Sequence, residues 1–147
     1  MLKDALGAWR GSAQEITRAI EHDPGNADAW YSRASVRSAE GDREGALSDF
    51  TRALELGLRY RESIVAYGNR GLLLFEAGDF RGAEADFSAV IERQPRQKSL
   101  MKAALLKRAA AKENLGDKGG AAADRRQAAL MSPEYDQQQP TTRSTIS

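Results

Sequence analysis

Apolar residues recur along this chain at helical spacing. Ala46, Phe50 and Ala53 stand four and three apart, and Ala83, Phe87 and Val90 repeat that spacing. Residues three or four apart share one face of a helix, so each set predicts the buried stripe of an amphipathic helix. Upstream of these stripes, and again further on, a bulky residue precedes a small one by four: Trp30 and Ala34, Tyr67 and Gly71, Leu105 and Ala109. Each such pair predicts another helix. The period-two alternation of a half-buried strand is absent. Between the two helices of each unit stands a Gly-Asp turn, at Gly41-Asp42, Gly78-Asp79 and Gly116-Asp117. Glycine accepts the left-handed backbone of such a turn, and the Asp can cap the helix that follows. Pro24, Pro95 and Pro133 stand where a second helix must stop.

The pattern is a repeat held in register. Eight residues before each turn glycine is an Arg (Arg33, Arg70, Arg108), followed by Ala34, Gly71 and Ala109. Five residues after the glycine is an Ala (Ala46, Ala83, Ala121), and eight after is an Asp (Asp49, Asp86, Asp124). Twelve after come Ala53, Val90 and Ala128, and seventeen after come Leu58, Pro95 and Pro133. Six offsets agreeing in three copies mark an internal repeat of helical hairpins. A fourth, partial copy opens the chain. Gly7, Ser12, Ile16, Ala19 and Pro24 match a turn and second helix, with only Met1 to Leu6 left for a first helix.

A bulky residue, a small one four later, an Ala and an aromatic in the next helix, and then Pro together resemble the tetratricopeptide repeat. The fullest copy is Tyr67, Gly71, Leu74, Gly78, Ala83, Phe87 and Pro95, and the resemblance runs from about Gly7 to Glu134. It implies an all-α fold: a right-handed αα superhelix, or solenoid, of about three helical hairpins plus an N-terminal half-repeat. The expected divisions are a partial repeat at 1–24, full repeats at 25–62, 63–98 and 99–134, and a disordered polar tail at 135–147. The turn glycines are 34, 37 and 38 residues apart, counting from Gly7. The additions fall near Tyr60 to Ser63 and Arg96 to Ser99, and about one extra helical turn would keep each stripe facing its core. Arg37 and Lys112 replace the large apolar residue that the middle copy has as Leu74, and Arg125 replaces the aromatic of Phe50 and Phe87. The third repeat is therefore expected to be the least packed, as suits a terminal repeat with a polar outer face.

Composition narrows what such a scaffold does. The 147 residues carry 22 Lys plus Arg against 21 Asp plus Glu, a net charge of +1 that lacks the footprint of a dedicated nucleic-acid binder. There is no cysteine, which removes disulfides, thiolate metal sites and thiol nucleophiles. No run approaches the roughly 18 apolar residues of a membrane span, and the first residues do not form a secretory signal. His22, the one histidine, stands in the last turn of a helix, where a cation favours the macrodipole. Gly116 to Gly120 lacks the spacing of a phosphate loop. The expectation is a cytoplasmic, non-catalytic protein that needs no metal or cofactor and binds neither nucleic acid nor membrane.

The pairs Arg33 with Asp49, Arg70 with Asp86 and Arg108 with Asp124 are each sixteen apart, a separation the hairpin folds side by side. They predict ion pairs between the two helices of a repeat, the alternative being an Arg ladder for acidic peptides. The resemblance also implies an inner face on the first helices, which binds another protein or peptide in a concave groove. Its candidate contacts are Tyr31, Asn69, Leu72, Phe75, Leu106 and Lys107. Leu72, Phe75 and Leu106 either form an exposed apolar surface or fill the array's own core. Relatives that grip C-terminal carboxylates use Lys, Asn and Arg at five positions. Here those positions hold Tyr31, Ser35, Asn69, Ala103 and Lys107, and only two are compatible with that grip. A second reading is self-assembly into a homo-oligomer through the incomplete N-terminal unit, where Trp9 packs either on its own chain or on another copy.

Overall fold

A computed structural model describes residues 13–131, and every regular element among them is a helix. They form two compact units divided between Leu73 and Leu74. The first holds helix α1 (residues 13–22, ending at His22), α2 (Ala27–Ala39), α3 (Arg43–Leu56) and most of α4 (Tyr60–Glu76). The second begins in the last turn of α4 and continues with α5 (Phe80–Glu92), α6 (Lys98–Asn114) and α7 (Lys118–Ala129).

The Gly-Asp turns are built alike. Gly41, Gly78 and Gly116 have φ of 85°, 84° and 85°, the left-handed region in which a Cβ is strained. The next amide in each case, from Asp42, Asp79 or Asp117, reaches back 2.8 Å to the carbonyl of Arg37, Leu74 or Lys112. That bond satisfies a carbonyl which the end of the first helix would otherwise leave orphaned. The Asp side chain then caps the second helix, accepting from the amides of Gly45 at 3.0 Å, Gly82 at 2.9 Å and Gly120 at 2.9 Å. These three glycines form a further register that the offsets read from the sequence did not include. A Cβ on them would lie 2.3, 2.7 and 2.2 Å from the capping Asp Oδ2, so a side chain there would force the cap aside.

Helix lengths account for the uneven spacing. α2 has 13 residues, whereas α4 and α6 have 17 each, a difference of roughly one turn. The added residues lie at the N-terminal ends of α4 and α6, where the longer spacings put them. α5 stops at Glu92, before Pro95, while α3 ends on Gly57 with φ of 99°.

In the first unit Phe50 is fully buried with Ala34, Ala46, Ala66 and Leu73, and Tyr31, Leu47, Leu54 and Leu58 pack around them. In the second, Ala83, Phe87 and Ala111 form a cluster against which Leu74 and Phe75 pack. The α6–α7 hairpin buries Leu105 together with alanines, among them Ala109, Ala121 and Ala128. No helix among the described residues is long and apolar enough to cross a membrane.

Candidate partner-binding surface

The polar network of each hairpin fixes what remains free to meet a partner. Asp49 has a 1% exposed side chain and receives Arg33 as a fork, Nε to Oδ2 at 2.8 Å and Nη2 to Oδ1 at 3.0 Å. Asp124 receives Arg108 in the same way, at 2.9 and 2.7 Å. Charge-assisted forks of this kind are strong and directional. They make Arg33 and Arg108 helix-to-helix ties within their hairpins. The hydrogen bond from each guanidinium to its Asp raises the pKa of both arginines. The third predicted pair has one member in each unit. Within its own unit, Arg70 donates to Thr51 Oγ1 at 3.3 Å and lies over the Tyr67 ring, 5.6 Å from its centroid.

Two features of this network were missed from the sequence. Arg37 and Lys112, read there as lost apolar positions, are second cations on the same buried carboxylates. Arg37 Nη1 lies 3.0 Å from Asp49 Oδ2, and Lys112 Nζ lies 3.1 Å from Asp124 Oδ2. Burial pushes the Asp124 carboxyl up, but the hydrogen bonds and charges of Arg108 and Lys112 outweigh it and hold the pKa below the usual carboxylate range. The signal was a basic residue twelve before the Asp in both copies. The other feature is a hydroxyl two residues after the Asp. Ser88 Oγ accepts from Arg108 Nη1 at 3.2 Å, as Thr51 does from Arg70. Each of these arginines thus reaches the second helix of the preceding hairpin. Trp30, one turn before Ala34, donates Nε1–H to the Pro24 carbonyl at 2.8 Å and lies under Arg33, whose guanidinium carbon is 5.1 Å from the ring centroid.

The six candidate contacts divide three to a unit. In the first, Tyr31 packs against the buried cluster with its ring edge toward Phe50, centroids 6.2 Å apart. Burial raises the pKa of its hydroxyl, and the charge of Glu62 on α4 adds to that. Asn69 is half-buried, and Leu72 is 37% exposed. Val65, at 41%, stands seven residues before Leu72, so Val65, Asn69 and Leu72 form one stripe of α4. In the second unit Phe75 is half-buried on the Ala83–Phe87–Ala111 cluster and meets Phe80 edge-on at 5.1 Å. Leu106 is 42% exposed, and Lys107 beside it is exposed. Leu72 and Leu106 are therefore the apolar side chains that solvent reaches, while Tyr31 and Phe75 are anchored on the cores of their own units. Trp9 and Met1 to Leu6, on which the self-assembly reading turns, lie outside the described residues, as does the tail from 132 onward.

Comparison with known proteins agrees with this architecture. A family model for the tetratricopeptide repeat matches residues 27–56 and 64–97. DnaJ homolog subfamily C member 3 of Rattus norvegicus is 34% identical over 91 residues, which are 62% of this chain and 18% of that protein. The Homo sapiens protein of the same name is 32% identical over the same shares. The chain thus spans only 18% of the length of these relatives. Among solved structures, that of MamA is similar with a TM-score of 0.73 at 18% identity, over 90% of this chain and 74% of that one. A tetratricopeptide repeat protein from Parabacteroides merdae gives 0.55 at 21% identity, over 88% and 61%. The structural likenesses establish the all-helical repeat fold. The α6–α7 hairpin lies outside the two matched segments, yet it carries the same left-handed glycine, the same Asp cap and the same Arg–Asp fork.

Proposed function

Since this chain belongs to the tetratricopeptide-repeat family, whose repeats are protein-interaction scaffolds, we propose that it holds a peptide or helix of a partner protein against the exposed faces of its first helices. The observation that carries this reading is the α4 stripe. Isolated exposed leucines are ordinary on protein surfaces, but Val65 and Leu72 share one face with Asn69 between them. An amphipathic partner could bury an apolar side chain on that stripe and hydrogen-bond to the amide of Asn69. Tyr31 in the first unit and Phe75 in the second are rigid aromatics already fixed by packing on their own cores, which lowers the ordering cost of binding at each. Leu106 and Lys107 supply a second contact, on α6. The proposal places this scaffold in the cytoplasm, which suits a chain without cysteine.

Selection of helical peptides from a displayed library on the full chain, followed by titration of a selected peptide, tests the reading. Val65→Asp with Leu72→Asp is the informative variant, because both side chains face solvent and the helix content should survive. Phe75 is a poor probe, since its removal also disturbs its own core. A loss of about tenfold or more in affinity, at unchanged circular dichroism, is expected. Equal affinity for wild type and variant would remove α4 as the binding face.

A further inference from the structure

The longest stretch of this chain without an acid runs from Arg93 to Lys112, and it carries seven basic residues. Several are already engaged. Arg108 and Lys112 hold Asp124, and Arg93 donates to the Ala89 carbonyl at 3.1 Å. Lys102 and Lys107 form no ion pair among the described residues. Both stand on α6 close to Leu106, Lys102 one turn before it and Lys107 next to it. At about 100° per residue the three side chains fan across one side of the helix, with Leu106 between the two ammonium groups. The one acid of α6, Glu113, is seven residues beyond Leu106 and is bound by Arg125. The Arg125 hydrogen bond, then its charge, holds the Glu113 pKa below the usual carboxylate range. The face therefore presents an exposed apolar centre, Leu106, between an exposed Lys107 and a half-exposed Lys102, neither of them in an ion pair among the described residues.

We infer that α6 docks an acidic amphipathic segment of a partner protein, with one apolar side chain on Leu106 and carboxylates reaching Lys102 and Lys107. The inference rests on the scaffold reading above and gives its partner a chemistry. Charge complementarity selects the occupant. An apolar segment without acids would leave both ammonium groups unmatched, and a basic one would meet like charge. Lysine suits this task, because its mobile point charge follows a carboxylate without the fixed fork geometry of arginine. The bias is local: every lysine after Lys3 lies between Lys98 and Lys118. Residues 13–73 hold eight arginines and no lysine against ten acids, whereas residues 74–131 hold eleven basic residues against eight acids.

Fluorescence anisotropy of the full chain tests this with a labelled Leu/Ala/Glu peptide of about four helical turns, patterned to be amphipathic. At an ionic strength near 0.15 M the peptide is expected to bind, and to bind more weakly as salt rises. Lys102→Glu with Lys107→Glu should weaken it by about tenfold or more and should instead bind the counterpart peptide with Lys in place of Glu. The milder Lys102→Gln with Lys107→Gln should show an intermediate loss if the double reversal harms folding. Equal affinity in the reversed variant would overturn the inference. So would tighter binding to phosphatidylserine vesicles or single-stranded RNA than to the peptide, lost in that same variant. If library-selected peptides still bind through α4 while the acidic peptide does not, the charge assignment alone falls. If neither class binds, the scaffold reading falls with it.

Discussion

In the α2–α3 hairpin of the first unit, Asp49 takes a fork from Arg33 and a further contact from Arg37; in the α6–α7 hairpin of the second, Asp124 takes Arg108 and Lys112 in the same way. The turn glycines share their φ to within a degree, and the capping distances agree to a tenth of an ångström. The cores beneath do not correspond. The residue after the buried Asp is Phe50 in one hairpin, with no exposed surface, and Arg125 in the other, half exposed and paired with Glu113. The polar parts thus repeat where the apolar parts have drifted. A hydrogen-bonded fork tolerates little displacement, whereas an apolar site accepts many side chains provided that volume and burial are met. The triad and the cap hold the hairpin in register, and the core determines how much stability it carries.

The sharpest way to separate these roles is to remove the core on one side. Phe50→Ala should cost about 3–5 kcal/mol, the range for a large aromatic lost from a packed site. Urea unfolding followed by circular dichroism would measure it, and hydrogen exchange should show α2 and α3 losing protection first. The matching change, Arg125→Ala, removes an exposed charge pair and should leave the unfolding curve in place. Equal losses at the two positions would mean that the hairpins do not differ in core as the structure has them.

Breaking the triads comes next. Asp49→Ala leaves Arg33 and Arg37 facing each other without their carboxylate, and a loss of about 3 kcal/mol is expected because Arg33 is largely buried. Asp124 offers a finer test through pH. Its pKa is lower in the folded chain than in the unfolded one, so the folded state holds the charged form more firmly. The resulting stability is fully present above the unfolded carboxylate value of about 3.9 and is lost as pH falls from there through the folded value. Asp124→Asn should therefore flatten the decline in stability below about pH 4 relative to wild type. An unchanged acid limb would mean that the carboxylate at 124 is not held by its two cations.

Only part of this arrangement could be read from the sequence. The helices, the turns and two of the three Arg–Asp pairs, Arg33–Asp49 and Arg108–Asp124, were legible, because each depends on residue types at fixed offsets: Gly where φ is positive, Asp at a cap, Arg opposite Asp. The second cations were present as letters but were read against an apolar expectation, and only the hairpin geometry brings position 37 or 112 to a carboxylate twelve residues on. The glycines at 45, 82 and 120 went unnoticed because what they avoid is a clash with the capping Asp side chain, which no pattern of apolar positions encodes. The surface was the least legible part. Tyr31, Leu72, Phe75 and Leu106 all fall on first helices with apolar character. Local packing alone anchors Tyr31 and Phe75 on their cores while leaving Leu72 and Leu106 open to solvent.

The smallest expected effect bears on why the two hairpins keep a second cation at all. In the second unit the corresponding position of another repeat is Leu74, which packs on the Ala83–Phe87 cluster, so the site accepts an apolar side chain. Its Cδ1 would lie 3.0 Å from a Cβ on Gly82, just as the Cδ of Arg37 would lie 2.9 Å from one on Gly45. Both side chains therefore run over the same glycine, and a leucine at 37 would occupy the path of the Arg37 stem. Arg37→Leu gives up the contact of a one-third exposed guanidinium with Asp49, but Asp49 keeps the whole of its fork from Arg33. Contact with solvent weakens the lost pair, and the apolar stem gained offsets part of it, so the net change should be within about 1 kcal/mol. Combining Arg37→Leu with Arg33→Ala removes both cations and should cost more than the two single changes together, since the second loss strands a buried carboxylate. Additive losses in that double-mutant cycle would show that Arg37 and Arg33 serve Asp49 independently, and that the second cation is more than a spare for the first.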